Sequence, residues 1–560
     1  MSEKNNTQHI RFSYGISLIR AITMSLSVML VLSLLVLMGE LLPNAGTVVP
    51  LISFLMIFFI GINLLGYLEL SQSQPRGGAY QMVQAYEEGN WLAFITGWVL
   101  LLAGLSAAGL LIQAFASQGA ALAAASFGFS IPEFPIAAAL LLLTAGIKLL
   151  PGRKKRQRYI LTGLLVVILV SCLISLPKIE LKNLVPLDGD WRTAFTLLLI
   201  SFIGLEIGAG LQGDLDNRST NGPKVLILAV ILAGLITSIV SLIILGKNST
   251  NQIPSLMNPI ADLAGFLMGR WVQGGLTILS LLAIPLALDR ILSLLIRQGY
   301  AMARDGFWPE VFKKIDPRTK RPVFLLLSFV VLISFTQLVN PGTLARMGSL
   351  FYLVVLIAVN FSLSRQEQIS SSFQLPIHPW IPALVMVFDL LLCLAWAEFL
   401  PAAGIFLGIG FAFYLVYGKH HNIKAKEGIT VFKTPLEEEK TKQYKRILVP
   451  ISNPDTAESL LHLAGSLVKL EGGKVIALRV ITVPNQLPLS EGSIEAEANR
   501  MLLDQAIDQA TKEEFRVQTM TRVSRSIAEG ILDTAREEDV DHILVGWAGG
   551  ETRTITRSLG

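Results

Sequence analysis

From about Ile16 to Tyr417 the chain alternates between long apolar runs and short polar breaks. Runs of roughly 20 residues are long enough to cross a bilayer as helices. They fall at 14–40, 48–68, 91–116, 132–150, 158–178, 193–213, 224–246, 270–297, 322–339, 343–363, 379–397 and 399–418. About twelve spanning helices are therefore expected over residues 1–420, an all-α membrane domain. The pattern then changes. A charged stretch, P-L-E-E-E-K-T-K-Q at 435–443, closes an expected linker over 421–443. From 444 to 560 short apolar runs alternate with segments of helical period. Y-K-R-I-L-V-P-I-S reads as a buried strand, followed by helix 455–470, strand 474–482, helix 491–513, strand 515–523, helix 526–537 and strand 541–545. That order predicts a small α/β domain with an open parallel sheet.

Composition agrees with a membrane protein: 52% of the 560 residues are hydrophobic and 16% charged, with a mean hydropathy of +0.58. The net charge of +5 is concentrated in loops and does not point to nucleic acid. Arg153, Lys154, Lys155, Arg156 and Arg158 crowd one loop, and Arg297 to Arg321 holds a second basic group. Loops such as Ser117–Glu133 and Ala397–Pro401 lack lysine and arginine. Both basic loops fall on the side of the N-terminus, so both termini are expected in the cytoplasm, with the domain in the plasma membrane. Cys172 and Cys393 lie in spans, which gives no disulfide framework, and no metal-ligand spacing occurs. The polar start M-S-E-K-N-N-T-Q carries no cleavable-signal pattern. Ten helices could form two five-helix halves of opposite orientation, with two appended; transporters place substrate between such halves.

The chemistry concentrates in the sixth run. Ile200–Leu211 reads I-S-F-I-G-L-E-I-G-A-G-L, an acid among glycines in an apolar stretch. Glycine weakens a helix by about 1 kcal/mol relative to alanine. An intramembrane carboxylate at an interrupted helix is how transporters build a site; close packing on a neighbouring helix is the plainer alternative. Burial disfavours the charged form of a carboxyl group, so Glu206 is expected to take up and release a proton. Asp289 and Arg290 lie about 8 residues before Arg297, roughly 12 Å into the membrane, and should not face lipid. They are candidate intramembrane charges, or simply a mutual or inter-helix ion pair. Asp389 is expected to be a packing or interface acid.

Three stretches resemble the amino acid–polyamine–organocation permeases. Tyr67–Tyr80, Y-L-E-L-S-Q-S-Q-P-R-G-G-A-Y, with A-F-I-T-G-W at Ala93–Trp98, is similar to that family's pattern. So are R-Q-G-Y-A-M-A-R-D-G-F-W-P at Arg297–Pro309 and S-F-I-G-L-E at Ser201–Glu206. The resemblance implies a leucine-transporter-like fold, a 5+5 inverted repeat plus 2. It implies a transporter, not an enzyme, moving amino acids or related small solutes by alternating access. It places substrate on backbone groups around Ser25–Ser27 and on Phe202, Ile203 and Gly204, with Glu206 as the coupling or contact group. Two departures stand out. Ala21–Met29 has Ser25 and Ser27 but no glycine, and the fifth run lacks the lysine that stands in for sodium in some members. Asp289 and Arg290 offer a replacement charge. Gly213-Asp214-Leu215, with Pro223-Lys224, resembles the cation–chloride cotransporters and keeps an inorganic-ion alternative open. A third alternative is a sensor that signals through the C-terminal domain without moving its ligand.

That domain resembles universal stress proteins, through I-L-V-P near its start and D-H-I-L-V-G-W-A-G-G near its end. ATP-binding members use an acid after the first strand, where Ser452 stands here, and a G-x-x-G pair followed after nine residues by Gly-Ser/Thr. Gly546 and Gly549 fit the pair, while Gly550 is the residue correctly spaced to Gly560. The expectation is an incomplete domain with no bound cofactor, serving as a regulatory module or as the contact of a homodimer.

Overall fold

In the computed structural model the described residues are 16–73, 78–86, 91–128, 131–149, 189–212, 215, 218–247, 270–316, 319, 321–365, 379–421, 428–433, 445–451, 454–471, 473–482, 503, 507–508, 512, 515–524 and 527–546. The chain divides into two compact units, Met1–Asn422 and Ile423–Gly560.

The first unit is helical. It opens with α1 (Leu18–Leu30), a π-helical stretch (Val31–Leu37), α2 (Met38–Ala45), a 3-10 turn (Gly46–Val48) and α3 (Val49–Ser73). Together they form one 53-residue apolar run, Leu18–Leu70, which covers the first two expected spans. Laid end to end as helix it would extend about 80 Å. Both α1 and α3 nevertheless pack along the 30-residue α9 (Arg218–Lys247), which is only about 45 Å long, so the chain doubles back between them. The reversal falls at Gly46, whose φ of 68° is readily adopted only by glycine. Small and hydroxyl residues line the α3–α9 seam. A Cβ at Gly234 would lie 2.3 Å from the Ile57 side chain, and Ser238 donates to the Pro50 carbonyl at 2.8 Å.

The unit continues with α4 (Ala79–Tyr86), α5 (Trp91–Phe127), α6 (Glu133–Leu149), α7 (Trp191–Leu198), a 3-10 stretch (Leu199–Ile203) and α8 (Gly204–Ala209). After α9 come α10 (Arg270–Arg304), α11 (Val323–Thr336), α12 (Pro341–Ser364), α13 (Trp380–Leu392) and α14 (Leu400–Phe413). Among the described residues seven stretches are long and apolar enough to cross a membrane, accompanied by the shorter Val323–Thr336 and Trp380–Trp396. The expected span at 158–178 lies outside the described residues. Polarity is arranged for a hydrocarbon solvent. Leu327, Val331 and Phe335 of α11 and Ile405 and Ile409 of α14 face outward, while Asn63, Glu69, Glu206, Asp305, Asn360 and Asp389 are buried.

The second unit is a five-stranded sheet of β1 (Gly428–Lys433), β2 (Lys445–Pro450), β3 (Gly473–Thr482), β4 (Val517–Ser524) and β5 (His542–Ile543), in the order β1-β4-β3-β2-β5. Four strands are parallel, as the alternation predicted, with α15 (Pro454–Glu471) and α16 (Ile527–Glu537) in the connections. Period-two side chains divide the core between the two faces: Ile447 and Val449 pack with α15 residues Leu461 and Val468, while Leu448 joins Ile476, Met520 and Ile531. The fifth strand corrects the linker expected over 421–443. β1 pairs antiparallel with β4, from Gly428↔Ser524 to Lys433↔Met520, and covers an edge that would otherwise stay open. Its six residues, G-I-T-V-F-K, favour a strand. Ser452, Gly549, Gly550 and Gly560 lie outside the described residues; of the nucleotide fingerprint only Gly546 is described, where a Cβ would lie 3.2 Å from the Leu460 side chain.

Candidate functional site

The sixth span starts at a firm cap. Asp190 accepts from Arg192 N at 2.9 Å and from Thr193 Oγ1 at 2.6 Å, which holds its carboxyl below the usual carboxylate range, chiefly through the Thr193 hydroxyl. Around Phe202–Gly204 the sequence leaves an interrupted helix and a closely packed one open. The α-helix is broken here by tightening: Leu199–Ile203 is 3-10 between two α-helical pieces. Neighbours take part in its bonding, since Ile200 N donates to Ser349 Oγ of α12 at 2.9 Å. Phe202, Ile203, Gly204 and Glu206 are all buried.

The first helix stays α-helical through Ser25 and Ser27 and becomes π-helical only at Val31–Leu37. Gln118 of α5 donates to the Leu35 carbonyl there at 2.9 Å. The glycines expected on the first helix are replaced by those of the sixth. A Cβ on Gly204 would lie 2.7 Å from both the Ser25 carbonyl and Met29 Cγ, and one on Gly208 would lie 3.1 Å from Ser25 Oγ. Close approach through small residues is thus present here. Ser25 Oγ uses it to donate to the Gly204 carbonyl at 2.6 Å. Four of the five substrate candidates therefore meet in one contact or lie directly beside it in sequence.

Glu206 turns elsewhere. Its Oε1 accepts from the Tyr67 hydroxyl of α3 at 2.5 Å and its Oε2 from Ala79 N, at the start of α4, at 3.0 Å. Two aimed donors are what a buried carboxyl needs to avoid a large desolvation penalty. Gly78 makes room, because a Cβ there would lie 2.5 Å from Oε2. The same turn is held to the end of α10: Tyr80 Oη donates to Asp305 Oδ2 at 2.7 Å, and Arg304 Nε pairs with Asp305 Oδ1 at 2.8 Å. Arg297 donates to the Gly210 carbonyl at 3.2 Å. The three stretches singled out in the sequence thus form one bonded assembly.

Asp289 and Arg290, adjacent on α10, diverge. Arg290 Nη1 reaches α1 and donates to the carbonyls of Thr23 at 3.2 Å and Met24 at 2.8 Å, and to Ser27 Oγ. Ser27, the fifth substrate candidate, is thereby bonded to a guanidinium. Asp289 pairs with Lys148 of α6 at 2.8 Å, and Lys148 also contacts Ser293 Oγ. Of the two ion-pair alternatives, the inter-helix one is found. Sequence reading missed Lys148, although a lysine two residues inside the end of an apolar run was the available signal. Tyr67 stands in one of the quoted stretches, but nothing in the sequence pairs it with Glu206. Among the described residues no group of three metal-ligating side chains forms.

The family model described as amino acid permease matches residues 16–418, and that of the universal stress protein family matches residues 443–559. The chain is 26% identical over 395 residues to the branched-chain amino acid permease BcaP of Bacillus subtilis (strain 168), covering 64% of this chain and 83% of that one. It is 24% identical over 393 residues to the methylthioribose transporter of the same organism, with 64% and 83% covered. Among solved structures, the crystal structure of MhsT in complex with L-phenylalanine matches with a TM-score of 0.49 at 13% identity, over 70% of this chain and 97% of that one. Since the permease match takes in more than half of the 560 residues, the chain belongs to the amino acid permease family.

Proposed function

We propose that this protein is a proton-coupled permease for amino acids with apolar side chains, working by alternating access in the plasma membrane with both termini in the cytoplasm. Secondary transport of amino acids or similar small solutes is the activity of its family; substrate, coupling and orientation are our reading. The observation that carries it is the contact of the first and sixth helices, where Ser25 Oγ meets the Gly204 carbonyl at 2.6 Å beside Met29. A substrate amino or carboxylate group would replace that hydrogen bond and use the backbone of Phe202, Ile203 and Gly204. Met29, Ile203 and Leu205 beside the contact are apolar and buried, and one relative is called a branched-chain amino acid permease.

Arg290 supports coupling without a mobile inorganic cation, because its guanidinium already places positive charge on the Thr23 and Met24 carbonyls. Glu206, tied to Tyr67 and Ala79, is the acid we assign to coupling, and the Tyr80–Asp305 bond helps to close the same end of the bundle. Residues 1–420 are the transport domain, and the C-terminal module, beginning at β1, is regulatory. The test is uptake of labelled leucine, isoleucine and valine into proteoliposomes containing the full chain, under an imposed pH gradient and with sodium replaced by choline. Uptake driven by the gradient and indifferent to sodium is expected. Flux that follows potassium or chloride instead, with no amino acid moved, would sink the reading; binding without flux would make the protein a sensor.

A further inference from the structure

Much of α13 faces outward, with Leu384, Phe388 and Leu391 exposed, yet Asp389 on the same helix is fully buried. Its Oδ1 accepts from Asn63 Nδ2 of α3 at 3.2 Å, and Asn63 Oδ1 accepts from Asn360 Nδ2 of α12 at 2.8 Å. Three helices are therefore joined by one polar chain in an otherwise apolar seam, beside the Phe59–Phe388 ring contact at 6.2 Å. Gly66 makes space for it, since a Cβ there would lie 3.0 Å from Asn360 Oδ1.

The helix backbone fixes which way each amide points. Asn63 Nδ2 also donates to the Phe59 carbonyl at 3.2 Å, and Asn360 Nδ2 to the Leu356 carbonyl at 3.1 Å. Carbonyls only accept, so neither amide can be flipped. Asn63 thus presents its NH2 to Asp389 and its oxygen to Asn360. Asp389 Oδ2 is buried with no hydrogen-bond partner among the described residues. The ionisable groups on the elements packed against it are Tyr67 and Glu69 of α3, Tyr352 and Arg346 of α12, Arg365 at the end of α12, and Cys393 after α13. Tyr67 donates to Glu206, Arg365 lies over the Phe361 ring at 5.6 Å, and Arg346 is four turns from Asn360 and lies over Phe399 at 5.7 Å.

An ionised carboxylate in this place would have one amide donor and no cation, which the desolvation penalty forbids. A metal cation would need several oxygen ligands, whereas Asn63 offers a donor. A proton on Oδ2 removes the uncompensated charge and leaves Oδ1 to accept from Asn63, at the smaller cost of a neutral hydroxyl with no acceptor among the described residues. We propose that Asp389 is a proton-binding site of the membrane domain, separate from Glu206 and linked through Asn63 and Asn360 to α3 and α12. Asn63 lies one turn before Tyr67, so α3 carries the partners of both acids. Exchange of the Asp389 proton requires α13 to part from α3 and admit water.

The site is read without transport, so its failure and that of the permease reading can be told apart. Infrared difference spectra of the full-length purified protein are recorded across a pH titration in H2O and D2O. A protonated-carboxyl C=O band is expected that disappears in the isosteric Asp389→Asn variant, persists in Glu206→Gln, and moves in frequency in Asp389→Glu. The band should shift in Asn63→Leu, which removes its hydrogen-bond donor. A spectrum unchanged by Asp389→Asn overturns the proposal. So does a band that sodium or potassium removes at fixed pH, because Asp389 would then be a cation ligand. If Asp389→Asn fails to fold, Asp389→Glu with an unmoved band overturns it equally.

Discussion

At the scale of single residues, an acid inside an apolar run was legible because its position alone is costly, and Glu206 stood out for that reason. Its partners were not legible, because Tyr67 and Ala79 lie 139 and 127 positions away and pairing over that separation leaves no periodic trace. The same holds for Asp289, whose partner Lys148 comes from α6. The geometry around Glu206 makes a sharp demand on Gly78. In Gly78→Ala the new methyl would lie 2.5 Å from Oε2 and must push the carboxyl off the Ala79 amide. Overpacking and the lost bond together should cost about 1–3 kcal/mol. Tyr67→Phe leaves the cavity filled but strands Oε1, at a cost of the same order, about 1–3 kcal/mol. Thermal unfolding of the detergent-solubilised protein measures both. Equal melting temperatures for wild type and Tyr67→Phe would mean that the short hydrogen bond contributes nothing to stability.

At the scale of elements, run length and polarity marked the helices, and the reversal between the first two fell where glycine allowed it. The π-helical stretch Val31–Leu37 could not be read, since a helix buried on most sides has no polar face from which to take a period. For the sixth helix an interruption and close packing on a neighbour were both open; its α-helix gives way to 3-10 at Leu199–Ile203, where Ser349 and Ser25 from neighbouring helices bond its backbone. Its beginning supports a pH prediction. Asp190 caps α7 with a carboxyl held below its ordinary range, so its contribution is present above the unfolded-state pKa and is lost as pH falls through the lowered folded-state value. Asp190→Ala should therefore lower stability by about 1 kcal/mol at neutral pH. The difference should vanish in acid, and melting curves at several pH values read it directly. At α10, Arg290→Ala should abolish uptake while Arg290→Lys retains part of it, since a lysine supplies charge but a single point of contact.

At the scale of the whole molecule, the sequence divides into a membrane part and a soluble part by solvent preference alone, and the structure has two compact units at nearly the same place. What charge density concealed was β1, six residues within a stretch that otherwise reads as linker. Where a fragment begins then matters. A chain cut before 428 keeps β1 on β4, with ladder partners from Gly428↔Ser524 to Lys433↔Met520. One that starts at 444 loses those hydrogen bonds, each worth about 0.5–1.5 kcal/mol. It also bares the unpaired edge of β4, which is a template for pairing with a second copy. Fragment 423–560 should therefore be the more stable of the two and the less prone to associate. Fragment 444–560 should form concentration-dependent dimers or aggregates, seen by light scattering and by sedimentation. The comparison also separates an artefact from a genuine homodimer contact. A dimer present in both fragments uses a surface other than the β4 edge, whereas one confined to the shorter fragment is edge pairing exposed by the cut.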